Sequence, residues 1–130
     1  MKREIKFRAY SSHNHKMYPV SNIEWDIDGR TWVTADDGKN GIELIDDEAH
    51  LMQYTGLHDK NGREIYEGDI LDIGLRNQDG KPVIAPVSYE TYAAGYVLDN
   101  GGNGIWQRLT EDCEVIGNIF ENPELLEGKQ

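Results

Sequence analysis

Residues Leu51–Leu71 read LMQYTGLHDKNGREIYEGDIL, and this stretch decides the fold class. Short extended pieces are separated by glycines, and the pair Asn61-Gly62 favours a tight turn with positive φ at both central residues. A glycine followed by an aspartate at residues 68 and 69 is typical of a strand that bends, with the carboxylate capping a turn. We predict that five residues set the strand register and the curvature of a small barrel: Gly56, Asn61, Gly62, Gly68 and Asp69.

The segments on either side of this stretch also have the patterns of β-strands. Residues 4–10, EIKFRAY, alternate apolar and charged side chains, as a half-buried strand does. In residues 22–27 the apolar side chains also alternate, and Asp28-Gly29 predicts a hairpin turn back to residues 30–35. Residues 42–54 are ambiguous between helix and strand, and we predict short strands on either side of a turn at residues 46–50.

The overall prediction is a mainly β chain with little helix. An N-terminal β-sheet lobe is expected at about residues 1–55. An SH3-like β-barrel is expected at about residues 56–130, and the two together form one domain. Asn122 as N-cap and Pro123 at the first helical position predict a short C-terminal helix.

The charge of the chain restricts its partners. Thirteen Lys and Arg face 24 Asp and Glu, which gives a net charge of −11 and a pI near 4.6. Binding to nucleic-acid phosphates or to anionic membranes needs positive charge, so neither is expected. A protein partner or self-association is expected instead, and an acidic surface favours basic partners.

The sequence also indicates a compartment. The single cysteine, Cys113, cannot form an intramolecular disulfide, and the N-terminus carries no apolar leader. A cytoplasmic location is therefore expected.

No residue pattern in the chain specifies a catalytic or metal site. His13 and His15 could share one side of an extended segment, but two such ligands do not make a zinc site. The turn glycines lack the glutamate that a calcium loop needs at its twelfth position. We predict no catalytic residue, no metal ligand and no cofactor. The alternative is a metal-dependent hydrolase or nuclease that uses clustered carboxylates.

Basic residues are concentrated near the N-terminus. The candidate positions at which an anionic group could dock are Lys2, Arg3, Lys6, Arg8 and Lys16. A solvated strand face explains the same pattern. Three tryptophans and seven tyrosines leave single-stranded nucleic-acid binding by the barrel as a further alternative, although the negative charge weighs against it.

Three blocks of this sequence carry a family resemblance: residues 3–20, with REIKFRAY and HKMYPV, residues 51–71, quoted above, and residues 113–126, CEVIGNIFENPELL. In this order they resemble the YopX family, proteins of phages and prophages. The resemblance implies a compact, mostly β protein and carries no established reaction, cofactor or catalytic residue. It implies a phage accessory protein, and we expect it to be non-enzymatic and to act by binding a protein partner or itself.

Overall fold

The computed structural model describes residues 4–36, 41–76, 78–90, 95–99, 106–108 and 112–126. The described residues are mainly β, as predicted, and they form two antiparallel sheets. The chain divides into two compact units, Met1–Gln53 and Tyr54–Gln130. The strands are β1 (Phe7–Ser11), β2 (Lys16–Trp25), β3 (Thr31–Asp36), β4 (Gly41–Ile45), β5 (Ala49–His58), β6 (Glu64–Tyr66), β7 (Asp69–Arg76), β8 (Pro82–Glu90), β9 (Gly95–Asp99), β10 (Trp106–Arg108) and β11 (Glu114–Asn118).

The first unit is an antiparallel sheet with the strand order β4-β3-β2-β1-β5. The alternation seen in the sequence places Ala9, Val33 and Leu44 in its core. A single 3-10 turn, Asp46–Glu48, separates β4 from β5. The prediction of short strands on either side of a turn at this place is therefore confirmed.

The second unit contains a five-stranded antiparallel sheet with the order β10-β9-β8-β7-β11. The short strand β6 pairs with the last residues of β5, Tyr54 facing Tyr66 and His58 facing Glu64. Ile65 of β6 packs into the same core as residues of the five-stranded sheet. This core consists of Ile65, Leu71, Ala85, Val87, Leu98 and Cys113.

Two finer predictions for this unit are not confirmed by the described residues. The sheet ends at β10 on one side and at β11 on the other, and no described pairing joins these edges into a closed barrel. The expected C-terminal helix is a single 3-10 turn, Pro123–Leu125, in the part of the chain described up to residue 126. Asn122 does not cap it, because its Oδ1 accepts a hydrogen bond from Asn118 N at 3.2 Å.

Gly68 and Asp69 form the bend that leads into β7. Gly68 is buried with φ of +87°. Its N–H donates to Val87 O and its carbonyl accepts from Ile119 N, both at 2.9 Å. Asp69 is 1% exposed, and its Oδ2 accepts from Tyr66 N at 2.8 Å. Gly56, with φ of +92°, lies where the register between β5 and β6 shifts.

We predict that Gly68→Val lowers the free energy of unfolding by about 3 kcal/mol. The positive φ alone costs a side chain about 1–2 kcal/mol, and a buried site adds the cost of overpacking. Gly80→Val is the matched control, because Gly80 has φ of +79° but nothing within 4 Å of its Cβ position. Urea unfolding of both variants measures the difference. Equal losses would show that the burial of Gly68 contributes nothing.

Candidate interaction site

Two hairpin turns have the same residue pattern. The β2–β3 turn is Asp26–Arg30, DIDGR, and the β5–β6 turn is Asp59–Arg63, DKNGR. Each begins with Asp and ends with Gly-Arg, with Asp or Asn at the third position. Position two is Ile27 in one turn and Lys60 in the other.

The backbone hydrogen bonds of the two turns are also the same. In each, the N–H of the first Asp donates to the carbonyl of the Arg, at 3.0 Å in the β2–β3 turn and 2.8 Å in the β5–β6 turn. The glycine N–H donates back to the carbonyl of the Asp, at 3.1 and 3.0 Å. The Asp Oδ1 accepts from the N–H groups of the third and fifth residues, all at 2.9 Å.

This geometry corrects the prediction for Asn61-Gly62. Gly62 has φ of +86°, but Asn61 has no positive φ, so the turn does not have two left-handed central residues. The Asp59 carboxylate accepts from the N–H groups of Asn61 and Arg63, and the turn therefore starts one residue earlier than the Asn-Gly pair suggests. The result is a three-residue loop with glycine in the left-handed position.

The β5–β6 turn is bound to the segment that begins β11. Asp59 Oδ2 accepts from Val115 N at 2.9 Å, and Lys60 N donates to Cys113 O at 2.9 Å. The side chains of the turn reach the same segment, Asn61 Nδ2 donating to Glu114 Oε2 at 3.3 Å and Arg63 donating to Val115 O at 3.2 Å.

The Asp59 carboxylate is ionised in this setting although it is only 5% exposed. Burial raises its pKa, but the N–H bonds from Val115, Arg63 and Asn61, together with the charge of Arg63, outweigh this effect. The pKa of the carboxyl is therefore below its ordinary value of 3.8.

The β2–β3 turn is ordered in the same way but is open to solvent. Asp26 Oδ2 accepts from Trp32 Nε1 of the same hairpin at 2.8 Å. This bond, followed by the N–H of Arg30, lowers the pKa of the Asp26 carboxyl. Ile27 is 100% exposed and Trp25 is 71% exposed. One large apolar side chain is thus exposed on the turn and a second at the end of β2 immediately before it, and four internal hydrogen bonds and the Trp32 bond hold the turn in place.

We call Trp25 and Ile27, with the β2–β3 turn, the hairpin tip. Single exposed apolar residues are ordinary on a protein surface, but tryptophan is one of the residue types enriched at the centres of protein interfaces, and here a second apolar side chain is exposed two positions away. Sequence reasoning identified the strand and the Asp28-Gly29 turn and missed the tip. The signal that could have found it is the pattern shared by DIDGR and DKNGR.

The described members of the predicted basic set, Lys6, Arg8 and Lys16, do not all lie on one face of the sheet. Lys2 and Arg3 lie outside the described residues. Lys6 pairs with Glu4 at 3.5 Å, and an Arg8 guanidinium nitrogen donates to Met52 Sδ at 3.7 Å. Lys16 is opposite Ser11 and Arg8 is opposite Pro19 in the same strand pair, so Arg8 and Lys16 point to opposite faces of the sheet.

The histidine pair does not act as one unit either. Residues 12–15 form a turn, so the extended arrangement considered for His13 and His15 is wrong. His13 Nε2 lies 2.8 Å from Glu48 Oε2, whereas His15, with φ of +57°, lies 6.4 Å from the Tyr10 ring. In the described ranges, no group of three or more His, Cys, Asp or Glu residues is arranged to hold a metal ion. None of the described helical segments is long and apolar enough to cross a membrane.

The geometry defines a mainly β protein made of antiparallel sheets, with one internally bound and one exposed copy of the same turn. A family model described as YopX protein matches residues 6–127, and the chain belongs to the YopX family.

Two solved structures are similar along almost the whole chain. Protein EF1440 from Enterococcus faecalis has 25% identity and a TM-score of 0.63, over 97% of this chain and 100% of that one. Protein YopX from Bacillus subtilis has 19% identity and a TM-score of 0.57, over 96% and 98%, a likeness that shows the fold alone. No curated protein matches the chain significantly.

We predict that Asp59→Asn lowers the free energy of unfolding by about 2 kcal/mol, because the new amide group opposes a backbone N–H that the carboxylate now accepts. Asp28→Asn is the control, since its exposed side chain allows a change of no more than about 0.5 kcal/mol. Urea unfolding at pH 7 measures both. An unchanged midpoint for Asp59→Asn would contradict the role of this carboxylate.

Proposed function

We propose that this protein is a phage-encoded accessory protein that acts in the cytoplasm of its bacterial host by binding a protein partner, without catalysis. The observation that carries the proposal is the hairpin tip, where Ile27 on an ordered turn and Trp25 just before it are both exposed. Residues of these types, when buried by a partner, supply much of the free energy of protein association.

The turn is already fixed in one conformation, and this supports the proposal because it lowers the entropic cost of binding. A flexible loop loses conformational entropy when it binds, and this loss reduces the affinity. The hydrogen bonds that the Asp26 carboxylate accepts from Asp28 N, Arg30 N and Trp32 Nε1 fix the tip before any partner arrives. The apolar contact is therefore made at a smaller entropic cost.

The net charge of the chain favours a different protein as its partner over a second copy of itself. A net charge of −11 on each chain makes two copies repel at long range. The same charge attracts a basic protein and increases the rate of association. In this proposal the second unit is an SH3-like barrel that serves as a scaffold, and the hairpin tip of the first unit makes the recognition contact.

Site-specific photocrosslinking tests the proposal in the bacterium that carries the gene. A photoreactive benzoylphenylalanine replaces Ile27 in one full-length chain and Lys60, the matched position of the β5–β6 turn, in the other. We expect position 27 to form an adduct with one discrete protein at a yield at least about fivefold above position 60. Trp25→Ala should reduce that adduct about tenfold, as loss of an interface anchor does.

Equal adduct yields from positions 27 and 60 would contradict the proposal. An adduct only between two copies of this chain would also contradict it, because the partner would then be the protein itself. Far-UV circular dichroism of each labelled chain checks that the β fold is kept.

A further inference from the structure

The β5–β6 turn shows how this five-residue pattern binds an extended segment of chain. It binds residues 113–115 through one backbone N–H, from Lys60, one carboxylate oxygen, one amide and one guanidinium. The two partners lie far apart in sequence, 56 residues in the case of Asp59 and Val115. The contact is therefore one between two separate pieces of chain and does not depend on their being neighbours.

The β2–β3 turn presents some of the same groups in the same backbone geometry. Ile27 N corresponds to Lys60 N, Arg30 to Arg63 and Asp28 to Asn61. In the described part of the chain, no hydrogen bond involves the N–H of Ile27, and Arg30 is exposed. The difference is at Asp26, whose Oδ2 already accepts from Trp32 Nε1. Two of the four binding groups, the N–H of residue 27 and the guanidinium of residue 30, are thus available to an incoming segment, and the Asp28 carboxylate stands where the other turn has an amide.

The side chain at the third position of each turn determines which charge is favoured on the residue that binds opposite it. Asn61 donates its amide to the Glu114 carboxylate. A carboxylate at this position, as in Asp28, repels a glutamate and pairs with a lysine or an arginine. Exposed Ile27 and Trp25 beside it add apolar surface for the segment to cover.

We infer that the hairpin tip binds an extended segment of a basic protein, seated as residues 113–115 are seated on the β5–β6 turn, with a lysine or arginine at the place of Glu114. The inference rests on the proposed function and specifies the partner of that site. The Ile27 N–H and the Arg30 guanidinium donate to carbonyl groups of the segment, and Asp28 accepts from its cationic side chain.

Two capped peptides with the sequence of residues 112–118, both with Cys113→Ser, test the inference. One keeps Glu114 and the other carries Glu114→Lys. Each is titrated to millimolar concentration into the ¹⁵N-labelled full-length chain. We expect the Glu114→Lys peptide to shift the amide signals of Ile27, Asp28 and Arg30. We expect it to bind at least about threefold more tightly than the other peptide, as one exposed ion pair allows.

The variant Asp28→Asn is the decisive control, because it gives the β2–β3 turn the asparagine of the β5–β6 turn. We expect the preference to reverse in favour of the peptide that keeps Glu114. Absence of shifts at residues 27–30, or equal affinity for both peptides, would overturn the inference. If the adduct at position 27 forms while the peptides fail, only the inference fails. If that adduct is also absent, the proposed function fails with it.

Discussion

The buried carboxylate of Asp59 is the constraint on which the second unit depends. It accepts three backbone N–H groups, two within its own turn and one from Val115 in β11, 56 residues away. A buried carboxylate without such partners would strongly destabilise the fold, so the second unit depends on these three bonds. They fix the β5–β6 turn against the start of β11. Ile65 of β6, next to this turn, and Cys113, next to β11, lie in the same core.

The first unit contains a turn with the same residue pattern and the same internal hydrogen bonds but with different outside contacts. There the second oxygen of Asp26 is taken by Trp32 of the same hairpin, so the turn is complete without any other segment of the chain. Arg30, the counterpart of an arginine that binds β11 in the second unit, is exposed in the first, beside Trp25 and Ile27. One local structure thus stabilises the fold in one place and is available for recognition in the other, and this contrast connects the fold to the proposed function.

Much of the fold could be predicted from the sequence because it depends on local patterns. Alternating apolar residues predicted the β-rich fold, and Gly56, Gly62 and Gly68 all have the positive φ that favours glycine. The incorrect predictions concern residues whose conformation is determined by a contact outside the local sequence pattern. Asn61 does not adopt a left-handed φ because its N–H donates to the Asp59 carboxylate. Asn122 does not cap a helix because its Oδ1 accepts from Asn118 N instead. The exposure of Trp25 could not be foreseen, since alternation shows a strand but not which face is covered.

The pH dependence of unfolding tests the role of Asp59 most directly. A carboxyl whose pKa is lowered by folding contributes stability that is fully present above its ordinary pKa of 3.8, and this stability is lost as pH falls through its folded pKa. We therefore expect the difference in urea midpoint between the natural chain and Asp59→Asn to be constant from pH 7 to about 5. Below about pH 4 it should shrink steadily. A difference that stays the same down to pH 2 would contradict the account, because the Asp59 carboxylate would then not hold β11 through its charge.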